Sequence, residues 1–115
     1  MIGPPQGARV FLACKPVDMR KGMNGLSMVV QEALGQDPLC GALFVFRGKR
    51  ATLMKVLCWD GSGWALYAKR LERGRFIWPQ TKDGVAPMTA AQLSMLVEGL
   101  DWRTPERTWR PEVAG

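Results

Sequence analysis

The sequence predicts an α+β fold: a mostly antiparallel sheet of four to five strands, built from meander hairpins, with two helices packed on it. Three observations carry this. The stretch Thr52 to Pro79 reads as two strands folded back on each other at Asp60-Gly61-Ser62-Gly63, flanked by aromatic and β-branched residues. Gly41 to Phe46 is a short, uniformly apolar run of the kind that lies centrally in a sheet. Two segments carry helical spacing, and one of them opens with a capping box. The expected order is strand, helix, three or four strands, helix, tail. At 115 residues, 1–100 are read as a single α+β domain and 101–115 as an extended C-terminal tail.

Taken in order, Arg9 to Cys14 follows a Gly/Pro-rich lead and reads as the first strand, ended by Pro16. Asp18 can cap a helix through Met19 to Leu34, with Met23, Leu26, Val30, Ala33 and Leu34 at 3–4 spacing and Gly35 as its stop. Gly22 and Gly25 each weaken its first turns by roughly 1 kcal/mol relative to alanine, which moves the start toward Asn24. After the second strand and the turn Arg47-Gly48-Lys49-Arg50 comes the hairpin. Leu53, Lys55, Leu57 and Trp59 share one face of its first strand, opposite Met54, Val56 and Cys58. Neither face is cleanly polar, so the sheet is expected to be covered on both sides. A basic turn and a third short strand complete the stretch, and residues 80–87 read as a loop. Thr89-Ala90-Ala91-Gln92 then opens the last helix, with Met88 and Leu93 at staple positions and Leu93, Leu96, Val97 and Leu100 on one face. In the tail, Trp102 and Trp109 have two readings: docked on the domain, or kept as anchors for a partner.

The net charge of +6 is unevenly placed. Residues 1–50 carry seven Lys/Arg against three acids and residues 51–80 carry five against two, whereas residues 81–115 carry four against five. A basic chain with its charge concentrated in this way points to a polyanionic partner, most often nucleic acid; a soluble surface that is merely basic is the alternative. Arg20 and Lys21 stand in the expected first turn of the helix, where the dipole disfavours cations, so they are read either as a phosphate site or as solvated surface. The turns Arg47 to Arg50 and Arg70 to Arg75 follow alternate strands of a meander. If the strands connect in order, Arg47, Lys49, Arg50, Lys69, Arg70, Arg73 and Arg75 line one rim. Trp64, Tyr67 and Trp78 are either core or platforms on which unpaired bases stack.

Much chemistry is excluded. The chain has no histidine, which removes Ser-His-Asp, Cys-His and histidine-ligated metal sites. No glycine-rich phosphate loop is present. The cysteines Cys14, Cys40 and Cys58 form no Cys-x-x-Cys pair and are expected to be reduced and mostly buried, as in a cytosol. Cys14 beside Lys15 is weighed as a reactive thiol and set against a buried structural one. No apolar run reaches the ~18 residues of a membrane span, and the N-terminus carries no signal-like blocks. The expectation is a cytoplasmic, non-enzymatic protein with no cofactor and no metal, nucleoid-associated if it binds DNA.

The runs Asp18-Met19-Arg20-Lys21-Gly22, Gly41 to Gly48, Trp59-Asp60-Gly61, Tyr67 to Phe76 and Glu98 to Trp102 resemble the TnpB accessory proteins. These are the second open-reading-frame products of bacterial insertion sequences of the insertion-sequence-66 group. The resemblance spans roughly residues 9–110, and Lys69-Arg70-Leu71-Glu72-Arg73-Gly74-Arg75 is its most specific run. It implies an accessory protein of transposition encoded beside a separate catalytic transposase, with no established catalytic residues to carry over. Joined to the charge pattern, it yields an expected DNA-binding set of Arg20, Lys21, Arg47, Lys49, Arg50, Lys69, Arg70, Arg73 and Arg75. The expected partners are DNA, the transposase and other proteins of the same element, with no membrane. The alternative is a protein-binding adaptor that contacts the transposase through Trp102 and Trp109 and has no direct DNA role.

Overall fold

The computed structural model describes residues 9–79 and 83–103. Seven elements follow one another: β1 (Val10–Ala13), α1 (Met23–Glu32), β2 (Leu43–Arg47), β3 (Leu53–Trp59), β4 (Trp64–Arg70), β5 (Val85–Met88) and α2 (Ala90–Val97). The five strands form one sheet in the order β4-β3-β2-β1-β5. β2, β3 and β4 are the expected antiparallel meander, with Val45 opposite Val56 and Val56 opposite Tyr67. β1 departs from it. It pairs parallel to β2, with Val10 opposite Leu43, because the connection between them contains α1 and is long enough for a crossover.

β2 is the central strand, and its sequence says why. Leu43 and Val45 face one layer, Phe44 and Phe46 the other, and all four are fully buried. On one side α1 lays Leu26 and Val30 over Phe44, Phe46 and Leu57. On the other, α2 lays Leu93 and Leu96 over Leu12, Val45, Met54 and Val56, together with Phe76, Trp78 and Trp102. Both faces are covered, as the mixed polarity of the hairpin strands predicted.

Several boundaries differ from the sequence-based expectations. α1 begins at Met23 with Gly22 as N-cap, so Asp18 does not cap it and Arg20 and Lys21 lie before the helix. Asp18 instead accepts the Arg20 backbone N–H (2.9 Å) and binds its guanidinium through both oxygens, a local turn that competes with helix. Gly35, at φ 63°, ends α1 as expected and lets the Gln36 N–H return to the Val30 carbonyl. The segment after the basic turn is not a strand: Phe76 and Trp78 leave the sheet and fill the core on the α2 side. Part of the expected loop 80–87 is instead β5, an edge strand antiparallel to β1. Its Pro87 is tolerated because the strand lies on an edge of the sheet.

α2 starts where its capping box places it. The Gln92 N–H donates to Thr89 Oγ1 (3.0 Å), and the Thr89 N–H donates to Gln92 Oε1 (2.9 Å). It ends in a Schellman arrangement around Gly99 (φ 77°), where the Gly99 and Leu100 N–H groups donate to the Leu96 and Met95 carbonyls. That turn carries Leu100 off the apolar face, leaving it exposed. Trp102 is buried at 9% exposure, and its indole N–H donates to the Ile77 carbonyl (2.8 Å). It is a core residue and not an exposed anchor. Trp109 lies outside the described residues.

Candidate nucleic-acid interface

Strand polarity assembles the rim. β2 and β4 both run antiparallel to β3, so both finish at the same end of the sheet. Arg47 pairs with Met54 and Arg70 with Leu53, which sets the two basic turns about two strand spacings apart, roughly 10 Å. That is about one Debye length at physiological salt, so their fields add. Because β1 is parallel to β2, the segment after it arrives at this end too. The Val17 N–H donates to the Arg47 carbonyl (2.9 Å), and Lys55 Nζ donates to the Lys21 carbonyl (2.9 Å). These two bonds draw the Lys15 to Lys21 loop against the rim. A concavity of about 620 Å³ lies between them, lined by Pro16, Val17, Asp18, Met19, Arg20, Gly48, Lys49 and Leu53.

The cations at this end are not equivalent. Arg47 is half-buried: its guanidinium carbon sits 5.8 Å from the Trp78 ring centroid, and one Nη donates to the Gly48 carbonyl (3.2 Å). Its Nε is buried with no hydrogen-bond partner among the described residues. Lys69 donates to the Val97 carbonyl (2.7 Å), satisfying a carbonyl at the α2 C-terminus where the helix dipole favours a cation. Both serve the fold. Arg20 is exposed but paired with Asp18, whose carboxyl the guanidinium hydrogen bonds hold well below the usual carboxylate range. Arg70 keeps a loose, solvent-exposed ion pair with Glu72 at 3.9 Å, of little energetic weight. Lys21, Lys49, Arg50, Arg73 and Arg75 are exposed, and no ion pair engages their side chains among the described residues.

Apart from Trp78 under Arg47, the candidate stacking residues lie elsewhere. Trp78 is buried and its indole N–H donates to the Ala13 carbonyl (2.9 Å), so it presents no face for stacking bases. Trp64 packs edge-on against Trp59 (centroids 5.1 Å) beside the Asp60 turn, at the end of the sheet opposite the cations. Tyr67 is half-buried in the layer beneath α2. Apart from Trp78 beneath Arg47, the aromatics and cations that interleave along the sequence are therefore separated in space.

Two residues of this end escaped sequence reasoning. Lys15 is exposed and lines a second concavity of about 510 Å³ with Lys21 and Asp18; only the parallel placement of β1 brings it there. Lys55 reads as a strand residue but ties down the Lys21 loop. Cys14 is buried, and burial first, then the negative charge of Asp83, push its thiol pKa up, away from a reactive thiolate. Among the described residues no three His, Cys, Asp or Glu side chains gather as a metal ion would require, and no helix is long and apolar enough to cross a membrane.

Among the described residues, this end of the sheet is thus a strip of exposed cations beside two shallow concavities. Comparison with known proteins agrees with the resemblance. The family described as IS66 Orf2 like protein matches residues 8–107. An uncharacterized protein of Sinorhizobium fredii, y4hO, is 48% identical over 115 residues, the whole of both chains. A second from the same organism, y4jC, is 50% identical over 107 residues, covering 93% of this chain and 92% of its own. No solved structure matches the chain. The chain belongs to the IS66 Orf2-like family, the TnpB accessory proteins of bacterial insertion sequences.

Proposed function

We propose that this protein is a non-catalytic accessory subunit of transposition that holds DNA through its basic rim, in the cytoplasm and alongside the element's transposase. The observation that carries the reading is the convergence of Lys49, Arg50, Arg73 and Arg75 at one end of the sheet, exposed and with no ion pair among the described residues. Cations so placed contact backbone phosphates and release counterions, giving affinity with little sequence specificity. Lys15, Arg20 and Lys21 extend the strip along the neighbouring loop.

Anisotropy titrations of a labelled duplex at several salt concentrations test it. Binding should weaken steeply with salt, and neutralising Lys49, Arg50, Arg73 and Arg75 to glutamine should flatten the log–log slope by about 3–4 units. The melting temperature should stay unchanged. Absence of binding by the unaltered protein at low salt would move the reading to the adaptor, whose candidate anchors are reduced to one by the burial of Trp102.

A further inference from the structure

The two edges of the sheet are built differently. At the β5 edge, the Cys14 N–H donates to the Gly84 carbonyl (3.0 Å), in the register that pairs Ala13 with Val85. Hydrogen-bonding parity alternates along an antiparallel ladder. Val85 and Pro87 therefore turn outward, and Pro87 has no N–H to offer. A four-residue strand with an outward proline is a blunted edge.

Among the described residues, the β4 edge has no such protection. The Leu71 N–H donates to the Thr52 carbonyl (2.9 Å) and the Asp60 N–H to the Gly63 carbonyl (3.1 Å), both continuing the β3–β4 register. Ala65, Tyr67 and Lys69 thus face β3, whereas Trp64, Leu66, Ala68 and Arg70 direct their backbone N–H and C=O groups outward. Seven residues long, with five uncharged residues in a row and no proline, β4 is an open template for strand addition.

We infer that a second copy of this chain docks here, β4 against β4 in antiparallel, with Tyr67 on the two-fold axis. This register uses all four outward residues, pairing Trp64 with Arg70 of the second copy and Leu66 with its Ala68. It is also electrostatically permitted. The two cations of β4, Lys69 and Arg70, fall opposite Ala65 and Trp64 and not opposite each other, and each Arg70 guanidinium lies across from an indole on the same face. The strand is in this way complementary to itself: its own sequence supplies neutral and aromatic residues at the positions that meet its cations. α1 lies over β3 and β4, so the two copies of α1 stand two to three strand spacings apart, roughly 10–14 Å, without overlap. The product is a ten-stranded sheet with the basic rims at its two opposite ends. This inference does not depend on the DNA reading.

Sedimentation of the full chain from about 1 to 100 μM tests it. The expected result is a concentration-dependent shift from the 12.8 kDa chain to twice that mass. Ala68 is exposed and its N–H faces outward, so Ala68→Pro removes one interfacial hydrogen bond in each copy and should weaken the dimer roughly tenfold or more. Should that variant misfold by circular dichroism, Ala68→Lys, which sets a charge against Leu66 of the second copy, must weaken it instead. A chain monomeric throughout the range overturns the inference. So does a dimer indifferent to the substitutions that fold, and so does a monomeric chain that loses transposase, not itself, on the Ala68→Pro change.

Discussion

The two basic turns at the rim share a plan and differ in how firmly they are held. Each opens with a strand-end cation that the fold uses, Arg47 in one and Lys69 in the other, and continues with cations that project into solvent. The Arg47 turn is short and anchored. Its carbonyl accepts from Val17, its guanidinium lies over Trp78, and Ala51 is held at φ 54° so that its carbonyl can accept the Phe76 N–H (2.7 Å). The turn after Lys69 is longer: among the described residues its backbone is tied at its two ends, by the Leu71 N–H to Thr52 and the Phe76 N–H to Ala51, and between them lies the loose pair of Arg70 with Glu72. The comparison teaches that a cation's neighbours in sequence do not reveal its task. In these runs one guanidinium or ammonium ends an apolar layer or a helix, and those beside it project into solvent.

The largest effect should come from removing the support beneath the tighter turn. Trp78→Ala deletes a buried indole, its bond to Ala13 and the platform under Arg47, and should cost about 3–5 kcal/mol in chemical denaturation. Rim function should fall with it, because the turn is no longer positioned. A smaller and cleaner contrast lies in the second turn. Lys69→Met leaves the Val97 carbonyl without its donor and should cost about 1–2 kcal/mol while barely changing the salt slope of DNA binding. Arg73→Gln should do the reverse, leaving stability within about 0.5 kcal/mol and reducing the slope by about 1. Equal behaviour of these two variants in either assay would erase the distinction between fold-serving and projecting cations.

The smallest effect belongs to the opposite end of the sheet. Asp60 accepts the Ser62 and Gly63 N–H groups (both 2.9 Å) and the Ser62 hydroxyl, and these bonds lower its pKa below the ordinary carboxylate value. A depressed carboxylate contributes stability above its unfolded pKa and loses it as pH falls through the folded one. The hairpin turn should therefore hold at pH 5 and loosen only below the usual carboxylate range. Fluorescence of the adjacent Trp59–Trp64 pair should report this during an acid titration, and Asp60→Ala should abolish the transition with only a slight drop in melting temperature.

Most of the architecture was readable because its signals are local. The Thr89 capping box needs four residues, the Asp60 turn needs four, and the burial of β2 on both faces is written in an unbroken apolar run. Where local signals compete, the reading slipped. Asp18 had two ways to satisfy nearby N–H groups and took the turn over the cap, which moved Arg20 and Lys21 off the helix. Residues 80–87 read as a loop, yet Val85–Met88 pairs with β1 as an edge strand, a contact that only the assembled sheet supplies. The rim itself was anticipated from the alternation of strand directions, and its expected cations do share one end of the sheet. The role of each was not legible.

Periodicity, caps and turn residues are properties of a few adjacent amino acids, so the two helices, the β2–β3–β4 meander with its covered faces and the concentration of charge before residue 80 follow from the chain alone. The task of each charged or aromatic side chain depends on which distant backbone group it meets. Lys69 is taken up by a carbonyl 28 residues away and Trp78 by one 65 residues away, and the parallel seating of β1 delivers Lys15 to the rim. Those encounters exist only once the sheet has closed, and they separate the cations that hold this protein together from the ones that project into solvent.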